Sequence, residues 1–125
     1  MSARSDGEIA VAWIANQESF WAWEEVDRAC ADDPERAWKL ILRILSGTDS
    51  PHIIECLGAG PLEDLLAKHG ATVIARVEEL AARESKFRTC LSHTWQNEMT
   101  QDLWARVCAA TARDPSNPHG RSSAT

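Results

Sequence analysis

The chain has 125 residues, 44% of them apolar and 26% charged, and a net charge of −6. That is the size of one domain with one core, and it carries enough apolar surface to exclude a wholly unfolded polymer. The longest apolar run, Ile9 to Ala15, falls far short of the roughly 20 residues of a membrane span, and Asp6 and Glu8 ahead of it argue against a signal peptide.

Helix punctuation then runs through the chain. Ser5 and Glu8 form a capping-box pattern that opens a first helix to about Asn16. This helix is apolar nearly all round (Ile9, Val11, Trp13, Ile14), a pattern that predicts central burial. A second helix is expected from about Ser19 to Asp32. Asp33, Pro34 and Glu35 supply a cap, a first-turn proline and an early acid for a third, which Gly47 stops. Ser50-Pro51 starts a fourth, expected to break at Gly58-Ala59-Gly60, with Pro61 restarting the chain and Gly70 closing that segment. Val73, Ile74, Val77, Leu80 and Ala81 define the next helical face. Phe87, Cys90, Leu91 and Trp95 continue at spacings of three and four. Thr100 caps a last helix holding Leu103, Trp104, Val107 and Cys108. From Arg113 the composition turns to Asp, Pro, Ser, Asn and Gly.

The expectation is an all-α, single compact multi-helix domain over residues 1–112, with about seven or eight short helices arranged as a bundle or a short stack of helix pairs. Residues 113–125 are expected to form a disordered tail. Cys30, Cys56, Cys90 and Cys108 form no C-x-x-C pair and read as reduced, buried thiols of a cytoplasmic protein. Six tryptophans exceed what so small a core needs, so at least one is expected near the surface.

The stretch Leu57-Gly58-Ala59-Gly60-Pro61-Leu62-Glu63-Asp64-Leu65-Leu66, with Asp33 to Trp38 upstream and Val73 to Ala82 downstream, resembles a family of small bacterial domains of unassigned function. That family is marked by an A-G-P-L-E-x-L-L box. The resemblance spans about residues 33–108 and implies a bacterial or phage source and a small helical fold; it brings no catalytic residues. Physically the box reads as architecture. No strand precedes it, and Gly60 is followed by Pro61-Leu62 rather than by the lysine and Ser/Thr a phosphate loop would need.

Two pairs carry the sharpest metal hypothesis. His52 and Cys56 share one helical face and Cys90 and His93 another, a Cys2His2 set that could suit zinc if the pairs met. Their sequence separation is too wide for a compact zinc module, so no metal or cofactor is assigned. Glu63, Asp64 and His69, or Glu78, Glu79 and Glu84, could be imagined in acid–base work, but acids so placed on helices are normally solvated. Cys90 with His93 is the one local thiol–base pair. No catalytic residue is assigned, and the chain is read as non-enzymatic.

The N-terminal third differs from the rest. Residues 1–35 hold nine acids against two bases, whereas the remainder holds ten acids against eleven bases. On a helix from 19 to 32, Phe20, Trp23, Val26 and Cys30 share the inner side, and Trp21 lies opposite, among Glu24, Glu25, Arg28 and Asp32. An indole on an acidic face fits a binding hot spot for a basic protein, or alternatively a tryptophan folded over a neighbouring helix. The leading expectation is a protein-binding module, in concrete form a bacterial or phage immunity or inhibitor protein that occludes a basic site on a toxin or nuclease. No direct contact with nucleic acid or membrane is expected, because the acidity repels both. A zinc- or small-molecule-binding domain built on the two His/Cys pairs is the alternative. An enzyme with a site beside Gly58 to Pro61 comes third.

Overall fold

The computed structural model describes residues 5–15 and 20–112. Every regular element among them is helical: α1 (Asp6–Ala15), α2 (Phe20–Asp32), α3 (Pro34–Ser46), α4 (Pro51–Leu57), a π-helical turn (Gly58–Leu62), α5 (Glu63–Arg83), α6 (Ser85–Leu91) and α7 (Gln101–Thr111). The proposed tail lies outside the described residues.

The capping chemistry forms as the sequence dictates. Ser5 N–H donates to Glu8 Oε1 at 2.8 Å and Glu8 N–H returns a bond to Ser5 Oγ at 3.1 Å, satisfying two donors at the start of α1. Asp33 accepts from Arg36 N–H, Ser50 from Ile53 N–H and Thr100 from Leu103 N–H, so α3, α4 and α7 each begin on a side-chain oxygen.

The α4–α5 region departs from the expected break. The chain stays helical from Pro51 to Arg83, so the described residues contain six helical bodies rather than seven or eight. Pro61 has no N–H to give the Leu57 carbonyl, and its ring would crowd that oxygen in a regular α-turn. The turn widens instead, and Glu63 N–H reaches back five residues to the Gly58 carbonyl. Gly58 is small because α6 crosses there: a Cβ would sit 2.1 Å from the Cys90 carbonyl oxygen. The expected end of the segment at Gly70 is met within one residue. The run kinks one residue earlier, at His69 (φ −136°, ψ 29°), and Gly70 lets α7 approach until a Cβ would meet Leu103 at 2.2 Å.

α6 stops earlier than its apolar spacing suggests, and Trp95 lies in the following loop. The Ser92 and Thr94 hydroxyls donate to the carbonyls of Thr89 and Leu91 at 2.6 and 2.8 Å, removing the partners a continuing helix would use. Thr94 is buried with this bond satisfied.

α5 is the central post, packing against α2, α3, α6 and α7, while α1 lies across α2 and α3. In a linear stack each pair would touch only its neighbours. Contacts between α2 and α5 and between α3 and α5 close the molecule into a bundle. Leu40, Ile41, Leu57, Leu62, Leu65, Leu66, Val73, Val77, Phe87 and Trp104 are fully buried at its centre. Each such aliphatic side chain contributes roughly 1.5–3 kcal/mol by leaving water.

Candidate protein-binding surface

α2 meets the core through Ala22, Val26, Ala29 and Cys30, all buried. That placement puts Trp21, Glu24, Glu25, Arg28 and Asp32 on the side of α2 away from this stripe, of which Glu24, Arg28 and Asp32 are exposed. Trp21 is half-buried. It packs at the core margin and forms one wall of an open cleft of about 400 Å³ whose other walls are Gly7, Glu8, Val11 and Ala12 of α1. Val11 is 69% exposed, against the expectation that α1 is buried all round. Ile9, Ala10 and Trp13 take the inner side of α1, and the neighbouring helices cover only that side.

The five outward residues of α2 are not equivalent. Glu24, Arg28 and Asp32 are exposed, whereas Glu25 is drawn into the fold. Arg36 of α3 places Nη1 3.5 Å from Glu25 Oε1 and Nε 3.8 Å from Asp6 Oδ1; Arg28 Nη1 lies 3.6 Å from the other Glu25 oxygen. A guanidinium of α3 therefore ties α2 to α1. Asp27, round the helix from Trp21, is held above the usual carboxylate range by partial burial, then by the Asp64 charge, with Lys68 opposing and Glu24 adding to the rise.

Behind this surface Trp13 and Trp23 stack with ring centroids 4.7 Å apart and planes 23° from parallel. Their indole N–H groups are buried and meet no acceptor among the described residues. The stack clamps α1 to α2 by apolar contact alone.

The His/Cys pairs behave differently from each other. His52 Nε2 and Cys56 Sγ lie 3.7 Å apart on the outer side of α4. Cys90 is buried, its thiol turned 3.5 Å from the Ile54 carbonyl and its pKa pushed up to about 12 by burial. A thiol held neutral in this way is the reverse of an activated nucleophile. No group of three or more His, Cys, Asp or Glu side chains is placed to hold a metal ion among the described residues. All four cysteines are free thiols.

A model of a family of unknown function, DUF6869, matches residues 12–115. The chain belongs to this family. The match takes in Trp21 and all of α2 to α7, while Gly7, Glu8 and Val11 precede it. No curated protein and no solved structure matches the chain.

Within this DUF6869 domain several titratable groups do structural work. Glu63 accepts from Trp95 N–H at 2.9 Å and from Asn97 Nδ2 at 3.0 Å, pinning the loop that follows α6. His69 Nε2 donates to the Ala31 carbonyl at 2.8 Å, which ties the α5 kink to the end of α2. Glu78 holds Arg106 of α7 through two bonds of 2.8 and 2.6 Å, and this pairing keeps Glu78 below the ordinary carboxylate range. Gly58 and Pro61 are buried rather than lining an open site. No helix among the described residues is long and apolar enough to cross a membrane.

The sequence reasoning missed the α1 half of the surface. Gly7, Glu8, Val11 and Ala15 lie within one helical face at spacings of three and four, but Val11 is apolar and reads as core until the packing of α1 is known.

Proposed function

We propose that this DUF6869 member is a non-enzymatic protein-binding module whose α1–α2 face docks a basic protein. Its concrete form is a bacterial immunity or inhibitor protein that acts in the cytoplasm by covering a basic site on its partner. The supporting observation is the Trp21 cleft, an apolar recess with an exposed Val11 on one side and Glu8 in its wall, on a helix pair whose outer side also carries exposed Glu24 and Asp32. An aromatic anchor inside a charged rim is the usual composition of a binding hot spot. The acidity of the N-terminal third would steer a basic partner toward it.

The test is capture from the native host with wild type and with a Trp21→Ala, Glu24→Lys double variant. Glu24 is chosen over Glu25 because it makes no link to α3. One basic protein retained by wild type and lost by the variant, at unchanged thermal stability, is the expected outcome. Equal retention by both overturns the reading.

A further inference from the structure

This inference deepens the proposed function and rests on it. We infer that the Val11–Trp21 cleft is an arginine-side-chain site, in which a partner's guanidinium stacks on the Trp21 indole beside the Glu8 carboxylate.

The chemistry of the cleft selects the occupant. Its walls are apolar, with Val11 and Ala12 on one side and the Trp21 ring on the other, and Glu8 stands at its edge. An aliphatic stem ending in a delocalised cation satisfies both parts. Lysine carries the same charge on a compact, strongly hydrated ammonium, which gains less from an indole face and costs more to dehydrate. The volume of about 400 Å³ admits one long side chain rather than a helix.

The chain itself displays the pairing. On the side facing α3, Arg36 bridges Asp6 and Glu25, and Arg43 Nη2 comes within 2.8 Å of where a Gly7 side chain would begin. Arg36 thus already matches Asp6, the inner acid at the start of α1. On the outer side Glu24 and Asp32 are exposed to solvent, and Glu8, whose Oε1 accepts from the Ser5 N–H, keeps an exposed carboxylate at the cleft.

The experiment follows the tryptophan indole N–H resonances of the full chain by NMR during titration with blocked tetra-arginine, tetra-lysine and tetra-citrulline peptides. Tetra-arginine is expected to move the Trp21 resonance and to bind about threefold more tightly than tetra-lysine, the scale of an exposed cation–π contact. Citrulline should leave the spectrum unchanged. Glu8→Gln keeps the capping box, which accepts Gln, and should weaken tetra-arginine binding about threefold, the worth of an exposed ion pair. Val11→Lys, at an exposed helical position, should abolish the Trp21 response without unfolding the chain.

Equal affinity for the arginine and lysine peptides, with amide shifts at Glu24 and Asp32 and none at Trp21, would overturn the arginine site while leaving the basic-partner reading intact. A Trp21 response that survives Val11→Lys would also overturn it. No response to either cationic peptide would count against both.

Discussion

The corner built by α1 and α2 and the half built by α5, α6 and α7 treat charge and contact in opposite ways. In the α5–α7 half, acids are spent on holding the chain: Glu78 grips Arg106, Glu63 pins the Trp95–Asn97 loop, and Glu35 reaches from α3 to Arg76 on α5. Backbones approach closely there, at Gly58 against Cys90 and Gly70 against Leu103. In the α1–α2 corner only Glu25 and Asp6 are matched from α3, and Glu8, Glu24, Asp32 and Val11 face outward. The corner is held by the Trp13–Trp23 stack together with the Arg36 bridge from Asp6 to Glu25. Among the described residues no ion pair ties Glu24 or Asp32 to another helix, whereas Glu78, Glu63 and Glu35 each tie two parts of the fold together.

The contrast can be broken at several points. Trp13→Ala should cost about 4 kcal/mol, enough to detach α1 and erase the cleft, read by urea denaturation and by loss of the Trp21 indole resonance. Gly58→Ala should cost about 3 kcal/mol in the same assay, because its Cβ collides with a backbone carbonyl that cannot rotate away. Glu63→Ala should cost about 0.5–1 kcal/mol by removing the solvent-exposed bonds to Trp95 N–H and Asn97 Nδ2, while sparing the α1–α2 cleft. A loss of peptide binding on Glu63→Ala would show that the two regions are coupled. Glu25→Gln should cost about 0.5 kcal/mol and Glu24→Gln nothing measurable, since only the former meets Arg36.

Two smaller effects depend on pH. The Arg106 guanidinium holds Glu78 below its ordinary range, so this carboxylate stabilises the fold above the unfolded value of 4.5 and loses that contribution as pH falls through the lower folded value. The difference in urea midpoint between wild type and Glu78→Gln should therefore be present at neutral pH and shrink in acid. Cys30 and Cys90 run the other way. Burial raises both from 9.0 to about 12, so their contribution is complete below the unfolded value and is lost as pH rises towards the folded one. At mildly alkaline pH, iodoacetamide should modify half-buried Cys56 in the native chain, and Cys30 and Cys90 only after denaturation.

Local signals explain which features were legible in the sequence. Each cap at Ser5, Asp33, Ser50 and Thr100 needs only residues within one turn, and each formed as expected. The exposure of Glu24, Arg28 and Asp32 followed from helical periodicity, whereas Trp21 and Glu25 on the same side are half-buried against α1 and α3. The α4–α5 junction was misread because Gly-x-Gly-Pro is ordinarily a breaker. Only the crossing of α6 over Gly58 reveals why a glycine stands inside a continuing helix.

The sequence by itself therefore determined an all-helical chain, its helix starts and the acidic character of its N-terminal third, since these depend on periodicity and nearest neighbours along the chain. Tertiary structure decided that Val11 faces solvent, that Glu25 pairs with α3 while Glu24 is exposed, and that the Cys90 thiol is buried facing the Ile54 carbonyl. It also brought α1 beside Trp21 to make a cleft. The reason is common to all four. Side chains of one type differ here only in what the neighbouring helices cover, and those neighbours are distant in sequence.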